Sequence, residues 1–235
     1  MKKKQLLAVV FVGLACLWAP LALVVHTQAP KVPIPQPGVP QIMTLEGNFV
    51  RAAYNNEGYV ILGYQLAQRS LTEEWMLLEI GMTVRDGVPE QTIKRDALSL
   101  ETPDMKTIPM AGVSEVRAAN LSALQNRERV QRDSINYFPP MATRACRIGF
   151  FSELSSPAMA YDEVAVSNTR ACLGRVYFKI PGGIQYGQHW LNVKFEKTLV
   201  RVPFRILTKE EEKTLSSNFK DIRKQVQDAF RPPKK

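Results

Sequence analysis

The run Leu6–Val25, LLAVVFVGLACLWAPLALVV, carries no charge over twenty residues and follows Lys2, Lys3 and Lys4. As a helix it spans about 30 Å, the thickness of a bilayer's hydrocarbon core. The lysines favour the cytoplasmic side, so the chain beyond Val25 is expected outside the cytoplasm. The first expectation for 1–28 is a signal anchor that crosses the membrane once over 6–25. The alternative is a signal peptide cut near Ala29, leaving a secreted or periplasmic protein. The apolar run exceeds the roughly 7–15 residues of such leaders, and Pro30 would directly follow the cut. Leu14-Ala15-Cys16 has the outline of an acylation site, but Gly13 departs from that pattern.

Compartment changes how the charge is read. The net +9 includes the three leader lysines; without them 28 basic residues face 22 acidic ones. That excess is spread along the chain and reads as a solvated surface, not a nucleic-acid footprint.

Residues 29–44 form a proline-rich linker, with prolines at 30, 33, 35, 37 and 40. They exclude helix and central strand and predict an extended spacer of about 3.1 Å per residue. The body, 45–207, reads as short strands with turn punctuation. Expected strands are Asn48–Tyr54, Tyr59–Ala67, Trp75–Val84, Ile93–Leu100, Ala145–Phe151, Tyr161–Val166, Leu173–Ile180, His189–Phe195 and Thr198–Ile206. Trp75–Val84 alternates most clearly, with Met76, Leu78, Ile80, Met82 and Val84 on one face. Between them Ser114–Asp133 lacks Gly and Pro and predicts an inserted helix capped by Ser114, its Arg117, Arg127, Arg129 and Arg132 forming a solvated face. The strand count and turns argue for a mainly β fold, an antiparallel β-sandwich.

The segments YVILGYQLAQRS, WMLLEIGMTVRDG and VYFKIPGGIQYGQHWLNVKF resemble the strand grammar of immunoglobulin-like sandwich domains in secreted and lipid-anchored bacterial proteins. The likeness covers about 45–102 and 173–206. It implies the fold only, since fold does not carry function.

Cys146 and Cys172, each in Thr-Arg-Ala-Cys, are an even pair in an oxidising compartment and are expected to be bonded. Closing that loop stabilises by about 3.5 kcal/mol in the chain-entropy model. A metal site lacks ligands, since His26 and His189 are the only histidines and no Cys-x-x-Cys occurs. His189 reads as a packed strand residue, because no nucleophile elbow or phosphate-cradling loop accompanies it. Hence no catalytic residue, metal or cofactor is expected.

Trp75, Tyr177 and Trp190 fall opposite the cleaner apolar stripe of their strands. They form either an exposed binding surface or a face covered by one of the helices. Residues 208–235 predict a C-terminal helix and basic tail. Thr208 and Glu211 make a capping box, and Leu215, Phe219, Ile222, Val226 and Phe230 form one apolar stripe. That stripe packs on the body or on a partner.

The leading functional expectation is a non-enzymatic, membrane-anchored protein presenting an interaction surface to another envelope protein. A secreted polysaccharide-binding module acting through the three aromatics is the alternative. A hydrolase with an unrecognised carboxylate site ranks third.

Overall fold

The computed structural model describes residues 41–132, 134–152 and 159–218, which belong to one unit. The leader, the proline run and the stripe residues Phe219, Ile222, Val226 and Phe230 lie outside the described residues.

Antiparallel sheets dominate, with few helices. A six-stranded sheet runs in the order β1 (Ile42–Gly47), β2 (Val50–Tyr54), β3 (Gly58–Gly63), β4 (Trp75–Val84), β10 (Arg170–Lys179) and β8 (Arg144–Ile148). A four-stranded sheet runs β12 (Leu199–Ile206), β11 (Gly187–Lys194), β6 (Leu98–Glu101), β7 (Thr107–Pro109). A short ladder joins β5 (Gln91–Lys94) to β9 (Glu163–Val166). Among these pairings only β8 with β10 is parallel, which departs from the all-antiparallel expectation.

Period-two alternation places the core. Met76, Leu78, Ile80 and Met82 of β4 share one buried cluster with Leu98, Leu100, Leu191, Val193, Val200, Val202 and Phe204 of the smaller sheet. Both large sheets therefore bury their apolar faces in a common interior. β3 is buried along its whole length because its other face, Tyr59 and Ile61, meets Val50, Ala52 and Ile135 in a second cluster.

Three expectations fail for local reasons. The single strand expected over Ile93–Leu100 is split by a 3-10 turn, Arg95–Ala97, into β5 and β6, which belong to different sheets. The strand expected over Tyr59–Ala67 stops at Gly63, and Gln65–Arg69 forms α1. A short apolar run does not by itself separate strand from buried helix. Here Gln68 anchors the helix, its side chain both donating to Leu207 O and accepting from Leu207 N–H at 2.8 Å. The helix expected over 114–133 is two helices, α2 (Val113–Ala118) and α3 (Ser122–Val130), broken at Asn120 with φ 47°. Asn tolerates that left-handed conformation better than most residues. The break serves packing: Leu121, five residues after Val116, would point elsewhere on a continuous helix, yet both are in the core. Gly112, not Ser114, precedes the first turn of α2. By contrast, the capping box forms at the start of helix 209–218: Thr208 N–H donates to Glu211 Oε2 at 2.9 Å, and Glu211 N–H to Thr208 Oγ1 at 3.3 Å.

Candidate functional site

Cys146 and Cys172 are directly paired residues on the parallel neighbours β8 and β10, with Cα atoms 4.1 Å apart and a disulfide between them. The bond ties β8, one edge of the large sheet, to its neighbour β10.

The three aromatics do not meet in one surface. Tyr177 lies on the outer face of β10, as its register implies, but is 1% exposed. The ring of Phe151 stands edge-on to it at 4.8 Å, and it shares a cluster with Leu121 and Leu124 of the helical insert. Trp75 is half-buried on the neighbouring strand. Trp190 belongs to the other sheet and is 7% exposed. The Arg201 guanidinium covers its ring at 4.8 Å, and Arg201 in turn pairs with Glu101 at 2.6 Å. These residues therefore do not form one exposed platform: Tyr177 and Trp190 are covered, Trp190 on the other sheet, and Trp75 is half-buried. Of the C-terminal stripe, only Leu215 is described, and it is half-buried. Glu211 and Glu212 tie this helix to Arg205 and Arg69 at 2.8 and 2.9 Å.

A first cleft, about 590 Å³, opens between the arm 102–111 and the end of β10. Ile108, Met110, Ile180 and Pro181 line it, and His189 reaches it from the start of β11. His189 has no exposed surface, and its ring stacks on Phe204 with centroids 5.2 Å apart. Its Nδ1 lies 3.1 Å from Gly187 O. A carbonyl accepts only, so Nδ1 carries the proton and Nε2 is an acceptor. Nε2 is buried and has no hydrogen-bond partner among the described residues. Burial pushes His189 down to about 4 against smaller opposing pulls from Gly187 O and Asp104, so the ring is neutral at neutral pH.

A second cleft, about 660 Å³, lies on the outer face of the large sheet. Glu79 on β4 and Arg175 on β10 are paired residues there, and Glu128 descends from α3. Glu128 is fully buried, with Arg175 Nη2 at 2.8 Å and Arg132 Nη1 at 3.8 Å. Burial first, then the hydrogen bond and charge of Glu128, push the Glu79 carboxyl up to about 8, with Arg132 and Arg175 pulling it back. At neutral pH Glu79 therefore keeps its proton. Carboxyls in hydrogen-bond contact are closer than the roughly 5–5.5 Å or more that glycoside hydrolysis requires. This geometry suits a structural acid pair better than a hydrolytic one.

Neither group was prominent in the sequence. Glu79 is the single acid in the ten-residue strand β4, and that was the available signal. Glu128 sits in a polar helix, where nothing local separates it from a solvated residue. Arg127, read as part of that solvated face, instead forms a two-pronged pair with Glu73 at 2.7 and 2.6 Å.

Among the described residues, no three His, Cys, Asp or Glu are grouped to hold a metal, and no helix is long and apolar enough to cross a membrane. Comparison with known protein families, curated proteins and solved structures finds no match.

Proposed function

We propose that this chain is a non-enzymatic interaction protein of the cell envelope. An N-terminal anchor holds it in the membrane, a proline stalk sets it off the surface, and an immunoglobulin-like β-sandwich meets another envelope protein. The observation that carries this reading is β1. It is the edge strand opposite β8 in the large sheet, and its Ile42, Met43 and Leu45 are 53%, 47% and 48% exposed. Exposed apolar edge strands invite pairing with another chain unless charge or proline blunts them. β1 lacks both devices except Glu46, and it follows the proline run directly. An extended segment of the partner would add to β1 in the manner of strand addition. The disulfide is consistent with an oxidising compartment.

The test is a photo-crosslinking amino acid at position 43 of the full-length protein in native membranes. A discrete protein adduct is expected, and Leu45→Lys should remove it while leaving thermal stability unchanged. Adducts to lipid alone, or protein adducts indifferent to Leu45→Lys, would defeat the reading.

A further inference from the structure

We propose that the strap 134–143 is a pH-governed cover on the outer face of the large sheet: its Ile135 end stays plugged into the sheet while Glu79 holds a proton and lifts when Glu79 ionises. No partner at β1 is needed for this.

The strap follows α3 and leads into β8, and it contains neither helix nor strand. Two side chains hold it down. Gly63 and Gly81 leave hollows on the outer faces of β3 and β4. A Cβ at either position would lie 2.8 Å from a strap atom, Ile135 Cγ2 at Gly63 and Phe138 Cζ at Gly81. Ile135 is 8% exposed and shares its cluster with Val50, Ala52, Tyr59 and Ile61. Among the described residues, the backbone of 134–138 meets the sheet through one hydrogen bond, the Tyr59 hydroxyl donating to Tyr137 O at 3.0 Å. A segment with so few ties opens at a smaller cost than the ladders beneath it.

The Gly63 hollow also holds an acid. Glu79 is paired with Gly63 across β3 and β4, and its Oε2 lies 3.4 Å from the same Cβ position that Ile135 Cγ2 crowds. A methyl group and a carboxyl thus share one socket, which suits the neutral acid and penalises the charged one. Among the described residues, Glu128 faces Glu79 from α3, Arg132 from the segment just beyond α3, and Arg175 from β10. The strap itself carries no charged side chain. Glu128 already pairs with Arg175 at 2.8 Å. Once ionised, Glu79 stands beside a like charge and gains from water. A continuous ladder holds β4 to β10, and the Glu128–Arg175 pair holds α3, so the strap is the wall that yields. Ser134, Ile135 and Asn136 already border the second cleft, and lifting them extends that cleft over Glu79.

Linkage sets the direction. With the strap docked, Glu79 keeps its proton up to about 8; with the strap lifted, it meets water and returns towards its ordinary 4.5. The preference for the docked form is complete below about pH 4.5 and is lost as pH rises to about 8. The ratio of lifted to docked strap should therefore rise by up to about tenfold per pH unit in that window and level off above it.

The experiment is methyl NMR on the full-length, detergent-solubilised protein with isotope-labelled isoleucine methyl groups. The nuclear Overhauser contact between the Ile135 methyl and the Gly63 Hα protons is expected at about pH 5 and is lost by about pH 9. Ile80, buried on the inner face of β4, keeps its methyl resonance throughout. Glu79→Gln cannot ionise and should hold the contact at both pH values. Gly63→Ala fills the socket and should move the Ile135 methyl resonance to its lifted position already at about pH 5. Persistence of the contact in wild type at about pH 9 overturns the proposal, as does its loss in Glu79→Gln. A simultaneous move of the Ile80 resonance would make the event an unfolding of the body and overturn it likewise. So would an Ile135 resonance that stays at its docked position in Gly63→Ala.

Discussion

β11 has a buried polar group at each end, and the fold treats the two differently. At its C-terminal end the turn 195–198 meets the turn between β2 and β3. Glu57 is 6% exposed there, and its carboxylate accepts from Thr198 Oγ1 at 2.6 Å, Gln91 Nε2 at 2.7 Å and Lys197 N–H at 3.1 Å. Asn55 completes the joint, donating to Thr198 Oγ1 at 3.0 Å. Burial alone would raise the Glu57 pKa, but these hydrogen bonds outweigh it and hold the carboxyl below its ordinary value. At the N-terminal end His189 is just as buried, yet one ring nitrogen has no partner among the described residues. A saturated group acts as glue between sheets. An unsaturated one costs about 1–3 kcal/mol and calls for an explanation beyond stability.

The saturated end should be the more fragile to mutation. Glu57→Leu would strip acceptors from Thr198, Gln91 and Lys197 at once, and a cost of about 4 kcal/mol is expected. Urea unfolding reads this as a lower midpoint with an unchanged slope. A loss under about 1 kcal/mol would mean that water replaces the carboxylate easily and that the joint is not glue.

Glu79 offers an intermediate case, a buried acid partnered by another acid. Its folded-state pKa, about 8, lies above its ordinary value of 4.5. The folded state thus holds a proton that the unfolded state releases. The stabilisation is complete below about pH 4.5 and is lost as pH rises towards 8. Glu79→Gln keeps a donor towards Glu128 but cannot ionise. Wild type should lose stability relative to this variant across that window, by up to about 1.4 kcal/mol per pH unit. Parallel pH–stability curves for the two proteins would mean that Glu79 is ionised in the folded state.

What the sequence made legible follows from how local each signal is. Trp75–Val84 matches β4 residue for residue because ten alternating positions leave one solution. The capping box formed for the same reason, its four residues needing nothing distant. The Cys pair was legible from count and from the expected compartment, although its parallel setting was not. Asn120 hid the helix break, since its left-handed backbone answers to Val116 and Leu121 reaching the core together. β1 was partly assigned to the linker, because an edge strand half in solvent lacks the alternation that marks its neighbours. Tyr177 was placed on the correct face, but whether that face is covered depends on Phe151 and α3, which are remote in sequence. The Glu57 joint assembles residues from three turns and leaves no pattern in any one of them.

The smallest expected effect bears most directly on the unsaturated end. His189→Phe removes an orphaned acceptor and one hydrogen bond to Gly187 O, two changes of opposite sign, so stability at pH 7.5 should alter by less than about 1 kcal/mol. Acid separates the proteins. The folded-state pKa of His189, about 4, lies below its ordinary value of 6.5. The unfolded chain therefore takes up the proton first, and this contribution is present above about pH 6.5 and is lost as pH falls towards 4. Wild type should lose stability there, by up to about 1.4 kcal/mol per pH unit, that the variant keeps, making His189→Phe the more stable protein near pH 4. Between pH 4.5 and 6.5 this rise with pH opposes the fall caused by Glu79, so wild type should look flat and each single variant should expose the other slope. Thermal melts at half-unit pH steps on the two variants and the double variant measure it. If His189→Phe follows wild type through the acid limb, the ring is protonated inside the fold. Nε2 would then be a donor with a partner, and the two ends of β11 would not differ as described.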